Sequence, residues 1–192
     1  CAASCLDQAP HARGVLSCVF AQYLDRLCCI LRYLCADDCF FLIFKRLEMN
    51  HIPSVAFIGG GNMANALVSG LVGQGCATLQ LHVLEVAEVL REQWRARGIS
   101  VASAPDASLS TQQVWIFAVK PQQMREVVLQ CKPWLKPDTL VISIAAGISL
   151  HSLSTWLGSP EQPYARVVRC MPNTPALVRA GVTGMTAVEG LD

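Results

Sequence analysis

The sequence predicts an α/β fold: a doubly wound, mostly parallel sheet with helices on both faces. Three observations predict it. From Ser54 onward, short apolar runs alternate with segments of helical period. A glycine-rich turn joins the first apolar run directly to the first helix. Small residues and glycines follow the later runs, at the strand ends where an open α/β sheet places its ligand crevice.

The chain is organised around Ser54 to Gly75, which reads SVAFIGGGNMANALVSGLVGQG. Val55 to Ile58 is apolar without helical period, which reads as a buried strand. After the glycines, Met63, Leu67, Leu71 and Val72 recur at helical spacing. Gly59, Gly61 and Ala64 fit G-x-G-x-x-G/A, the dinucleotide-binding fingerprint, in the strand–turn–helix context that the motif requires. Gly59 allows a turn that few side chains tolerate. Gly61 lets a pyrophosphate approach the backbone where a Cβ would collide. Ala64 lets the helix pack close on the strand. The free N–H groups of the helix start, with the positive end of its dipole, hold the phosphates. The fold is therefore expected to be of the Rossmann type.

Leu79 to Leu84 reads as the second strand, ended by Glu85. Val86 to Arg97 reads as the second helix, with Val89, Leu90 and Trp94 inward and Glu88, Arg91, Glu92, Arg95 and Arg97 mostly outward. Gly98 caps it. Ile99 to Ala102 is a short third strand. Val114 to Val119 is a fourth, buried on both faces. Pro121 starts a helix that runs to about Gln130. Lys132 to Pro137 is a turn-rich connection. Leu140 to Ile144 is the fifth strand, Leu150 to Leu157 a helix, and Tyr164 to Arg169 the sixth strand.

The carboxyl-end loops carry the candidate site. They are Ile58, Gly59, Gly60, Gly61, Asn62 and Met63 after the first strand, and Glu85 after the second. Ala118, Val119, Lys120 and Pro121 follow the fourth, and Ala145, Ala146 and Gly147 follow the fifth. Met171 to Pro175, with Asn173 and Thr174, follows the sixth. Small residues there allow close approach of a flat ring system, and Lys120 adds one positive charge.

Composition excludes several classes. The chain has 192 residues, 53% apolar and 15% charged, with net charge +1. That supplies a core but no basic field for nucleic acid. Seven of the ten cysteines lie in the first fifty residues, without C-x-x-C spacing and with only His11 nearby, so no metal site is expected. The apolar patches of residues 1–48 are too short to span a bilayer, and Asp25, Arg26, Arg32, Asp37 and Asp38 interrupt them. No secretory signal layout is present, and a cytoplasmic location is expected. Met49, just before the first strand, reads as the start of the domain. Residues 1–48 read as translated upstream sequence, with a helical extension over residues 15–34 as the rival.

FIGGGNMANAL, AVKPQQM, VISIAAGISL and RCMPNTPALVRAGVTGM resemble, in order and spacing, the pyrroline-5-carboxylate reductases, over about Ser54 to Met185. The resemblance implies hydride transfer from NADPH or NADH to the cyclic imine of 1-pyrroline-5-carboxylate, giving L-proline. It implies that Gly59, Gly61, Asn62 and Met63 line the pyrophosphate. It implies that Ala118 to Pro121 and Ala145 to Gly147 flank the ribose and nicotinamide, with Asn173 and Thr174 near the substrate. No general acid is assigned. The family carries a further helical domain that builds the dimer and most of the substrate site. A fragment without that domain is therefore expected, inactive alone and oligomeric only with it. Glu85 stands about where a carboxylate reads the 2′-hydroxyl of NAD and would repel a 2′-phosphate, with Arg91 and Arg95 one or two turns on. The alternatives are an oxidoreductase of the 3-hydroxyacid dehydrogenase kind, or a module that senses dinucleotide without catalysis.

Overall fold

The computed structural model describes residues 53–172 and 183–188. The readings placed on residues 1–48, Met49, Asn173, Thr174 and Pro175 lie outside the described residues.

Seven strands form one sheet. They are β1 Val55–Ile58, β2 Leu81–Leu84, β3 Ser100–Ala102, β4 Val114–Phe117, β5 Leu140–Ser143, β6 Val167–Pro172 and β7 Thr183–Ala187. Their order is β3-β2-β1-β4-β5-β6-β7. The first six are parallel, and β7 runs antiparallel to β6. Among the described residues, four helices connect them: α1 Asn62–Gly73, α2 Glu88–Ala96, α3 Pro121–Cys131 and α4 Leu150–Leu157. The mostly parallel, doubly wound α/β class is as expected.

Strand alternation builds two cores. Val55 and Phe57 of β1 face one side, with Leu67, Val68 and Leu71 of α1 and Trp94 of α2. Ala56 and Ile58 face the other, with Met124 and Val128 of α3 and Leu153 and Leu157 of α4. Successive side chains of a strand point to opposite faces, so a strand buried on both reads as a continuous apolar run. β1, β2, β4 and β5 are buried at every position. Burying each Val, Leu, Ile or Phe side chain among them is worth about 1.5–3 kcal/mol.

The helices hold to this frame for local reasons. Pro121 opens α3, where its missing N–H costs nothing. The Ser149 hydroxyl caps α4 by accepting the Ser152 N–H at 3.0 Å. The Gly98 N–H closes the end of α2 on the Arg95 carbonyl at 2.9 Å. Most of α2 is charged or polar, and Trp94 is its one buried residue.

Several boundaries differ from the expectation. Thr78 to Gln80 forms a 3-10 turn, so β2 starts at Leu81 and Leu79 is 91% exposed. β4 ends at Phe117 and β5 at Ser143, each short of the expected end. β6 starts at Val167, because the Tyr164 N–H bonds the Ser154 carbonyl of α4 at 2.9 Å instead of the sheet. Val89 is exposed where an inward side chain was expected, and Val72 is exposed too. Val89 sits five residues from Trp94, about 140° round the helix, whereas Leu90 is about 40° away. β7 was not expected.

Candidate functional site

The strand order reverses between β1 and β4, the switch point at whose carboxyl edge an open α/β sheet takes its ligand. The ladder continues past the strands. Gly59 N–H donates to Leu84 O at 2.8 Å, and Ala118 N–H donates to Ile58 O at 2.8 Å. Ile144 N–H reaches Phe117 O at 3.1 Å, and Glu85 N–H reaches Ala102 O at 3.0 Å. The loops after β1, β2, β4 and β5 are thereby stitched to their neighbours.

Gly59 has φ +100°, and a Cβ there would lie 2.8 Å from the Ala118 carbonyl oxygen. Backbone conformation and close approach both exclude a side chain. Gly61 is different. Its backbone is extended, with φ −76° and ψ −166°, and a Cβ there would meet nothing within 4 Å. Gly61 is the N-cap of α1, no side chain caps that helix, and its first turn holds no acid. The first-turn N–H groups and the dipole end are therefore directed at open space, a fit for the phosphates of a dinucleotide. Asn62 is exposed and Met63 packs partly on the core. Ala64 is a fully buried residue of α1, and its small side chain permits close packing of that helix on the strand.

Gly60 is buried and held from both sides. Its N–H donates to Glu85 Oε2 at 2.8 Å, and its carbonyl accepts the Trp94 indole N–H at 3.1 Å. A Cβ on Gly60 would sit 2.7 Å from that indole nitrogen. Glu85 Oε1 accepts the Ala87 N–H at 2.9 Å. Each carboxylate oxygen thus takes one backbone bond and keeps acceptor capacity for another. Arg91 donates to the carbonyls of Glu85 and Val86 at 2.8 and 2.6 Å and pairs with Glu88. Arg95 pairs with Glu88 at 2.7 Å. These two arginines and Glu88 border a cleft of about 460 Å³ whose far wall is Val101 to Asp106. A smaller cleft of about 190 Å³ lies between α1 and α2, beside Gly60, Gly61, Asn62, Trp94 and Arg97.

On the β4 side of the switch point, Ala118 and Val119 are half-buried, Lys120 is exposed and Pro121 half-buried. Ala145 is buried, with its N–H donating to the Ser143 hydroxyl at 3.3 Å. Ala146 and Gly147 are exposed, the latter at φ +75°. Ile58 is wholly buried, so only its backbone reaches the edge. The expected positions from Ile58 to Gly147 lie at or just past the carboxyl ends of β1, β2, β4 and β5; Asn173 and Thr174 fall outside the described residues.

Two features escaped the sequence reading. One is the indole donor on Gly60; a tryptophan on a mostly charged helix was its signal, since a buried indole N–H needs an acceptor. The other is His82. It is buried on β2, with Nδ1 3.0 Å from the Ser100 hydroxyl and Nε2 3.0 Å from the Ser108 hydroxyl. Ser108 in turn donates to Asp106 at 2.5 Å. Burial lowers the His82 pKa below its ordinary 6.5, against the pull of Asp106. Among the described residues, no group of His, Cys, Asp and Glu is placed to hold a metal ion. No helix among them is long and apolar enough to cross a membrane.

Residues 54–147 match the family model described as NADP oxidoreductase coenzyme F420-dependent. The chain is 42% identical over 136 residues to a pyrroline-5-carboxylate reductase of Pseudomonas aeruginosa, covering 70% of this chain and 48% of that protein. A solved structure of a pyrroline-5-carboxylate reductase from Coxiella burnetii matches at TM-score 0.67 and 34% identity, over 73% of this chain and 51% of the other. The enzyme of Plasmodium falciparum, solved with NADP bound, matches at TM-score 0.60 and 24% identity, over 73% of this chain and 50% of that one, a likeness of fold. The chain spans about half the length of the curated relatives it matches. The family resemblance carried by the motifs is borne out.

Proposed function

From a chain related over this domain to the pyrroline-5-carboxylate reductases, we infer a domain that binds NADPH or NADH in the reduction of 1-pyrroline-5-carboxylate to L-proline. The observation that carries the reading is the Gly59–Gly61 turn at the β1/β4 switch point, opening onto an uncapped helix start, in a chain 42% identical to such a reductase. When bound, the reduced nicotinamide supplies the hydride. The chain supplies position and electrostatics. Gly61, Asn62 and Met63 direct N–H groups at the phosphates, and Gly61 leaves the room for them. Glu85, at the end of β2, stands toward the adenosine ribose. Ala118 to Pro121 and Ala145 to Gly147 flank the ribose and nicotinamide with small groups. The family motif alone assigns Asn173 and Thr174 a role near the substrate.

A protonated cyclic imine is already electrophilic, so orientation and a site for its carboxylate are the main demands on the protein. We assign residues 49–192 to the dinucleotide domain, with catalysis and homo-oligomer formation depending on a helical domain of the kind the family carries. The location is proposed to be cytoplasmic. The test has two arms. Titration calorimetry with NADPH and NADH should show binding of each in the micromolar range; failure of both sinks the reading. With 1-pyrroline-5-carboxylate present, oxidation of NADPH by the reductase joined to its helical domain should yield proline. Binding without turnover in that protein would favour a dinucleotide-sensing module.

A further inference from the structure

We propose that Trp94 is a positioning residue for dinucleotide binding: its indole N–H, from the outer helix α2, fixes the Gly60 peptide so that the following N–H groups face the phosphates. The inference rests on the reading of Gly59 to Met63 as the phosphate turn.

The geometry is specific. Gly60 is the middle residue of the turn, and it has no side chain with which to hold itself. Its carbonyl takes the Trp94 indole at 3.1 Å in a buried bond, and its N–H gives to Glu85 at 2.8 Å. The two flanking peptide orientations are thereby set by side chains from two other elements. Without them the turn is anchored by the Gly59 N–H on Leu84 and by α1 itself, and the peptide between is free to rotate. Trp94 is in turn held. It is 3% exposed, and the Arg97 guanidinium lies 4.7 Å from its ring centroid. Arg97 also donates to Asn65 at 2.6 Å and Ser69 at 3.2 Å, both on α1. The indole is therefore clamped between the helix that carries it and the helix whose start receives the anion. A buried indole N–H needs an acceptor, and the one it takes here is the carbonyl whose rotation would misdirect the phosphate donors. Phosphate positioning of this kind acts on both cofactor forms alike, since it lies away from the 2′ position.

The experiment compares Trp94→Phe with Leu153→Ala, a buried change on α4 in the opposite core. Trp94→Phe keeps an aromatic ring and loses the donor. NADH and NADPH should each bind about 2- to 10-fold more weakly, the worth of one neutral hydrogen bond, with their ratio unchanged. Leu153→Ala should lower the melting temperature at least as much and leave both affinities alone. Amide hydrogen exchange at Gly60 and Gly61 should rise in Trp94→Phe only. In the parent chain, NADH should shift the indole N–H resonance of Trp94 and spare that of Trp115, which is bonded to the Leu109 carbonyl at 3.0 Å. Parent-like affinity in Trp94→Phe, or an equal loss in Leu153→Ala, overturns the proposal. If the parent binds neither dinucleotide, the site reading fails, and the exchange at Gly60 still decides the clamp: no change in Trp94→Phe overturns it. Should Trp94→Phe not fold, the indole resonances of the parent carry the same decision.

Discussion

Gly59 and Gly61 are two residues apart, yet they should fail in opposite ways. Gly59→Ala meets two penalties. The backbone has φ +100°, and the new Cβ would lie 2.8 Å from the Ala118 oxygen and 2.9 Å from its carbon. The left-handed side of the map costs an L residue about 1–2 kcal/mol. Forcing a methyl against backbone adds about 1–3 kcal/mol. The total of about 2–5 kcal/mol is a large part of the 5–15 kcal/mol typical of a domain. At about 4 °C per kcal/mol, the melting temperature should fall by about 8–20 °C. Gly61→Val is the bulkier change, but its extended backbone suits any residue, and nothing lies within 4 Å of the new Cβ. Valine is a poorer N-cap than glycine by up to about 1 kcal/mol, and its stiffer unfolded chain offsets part of that. Its melting temperature should therefore stay within about 4 °C of the parent. Its affinity for NADH and NADPH should drop at least about tenfold, or 1.4 kcal/mol, because the branched side chain fills the space assigned to the pyrophosphate. Calorimetric melts and dinucleotide titrations on both variants decide. Parent-like binding by Gly61→Val, or an unmoved melt for Gly59→Ala, would refute the reasoning.

Three further outcomes are expected. His82 is held neutral by burial, so its folded pKa lies below the unfolded 6.5; the unfolded chain binds the extra proton, and stability is full above pH 6.5 and lost as pH falls below it. His82→Gln should flatten that loss between pH 7 and 5 in thermal melts, and an identical slope would assign it elsewhere. Glu85→Ser removes a like-charge repulsion toward a 2′-phosphate but also frees the Gly60 and Ala87 N–H groups. The NADPH/NADH affinity ratio should rise while NADH itself weakens, and an unchanged ratio would place the carboxylate outside the ribose site. Burial pushes the Cys131 thiol up to about 12, and Cys76 and Cys170 are buried as well. Maleimide at pH 8, mapped by mass spectrometry, should leave all three unmodified until denaturant is added.

The phosphate turn was legible because its signals are local. A run of four apolar residues, three glycines and a helical period lie in one stretch, and each demands a particular backbone. Pro121 and Gly98 were legible for the same reason. The sixth strand was misplaced because Tyr164 looks like a strand residue but gives its N–H to α4, a competition visible only in three dimensions. β7 reads TGMTA, with a glycine inside and little apolar period; its pairing with β6 is what makes it a strand. Within the candidate site, the loop residues could be placed by counting strand ends. The contacts of Glu85 could not, because a carboxylate at a strand end faces a ribose and a glycine N–H equally well in sequence terms.

The position of β1 has a consequence for how the chain is made. Val55 is in register with Leu81 on one side and with Val114 on the other. During synthesis at about 5–20 residues per second, the four apolar residues of β1 therefore keep one edge unpaired for some seconds after β2 has emerged. Parallel pairing across such separations is slow in any case. Gly59 meets Ala118 only when β4 arrives, so the close approach that excludes a side chain at Gly59 completes late. The unpaired edge of the nascent VAFI segment is therefore exposed to aggregation until β4 closes it.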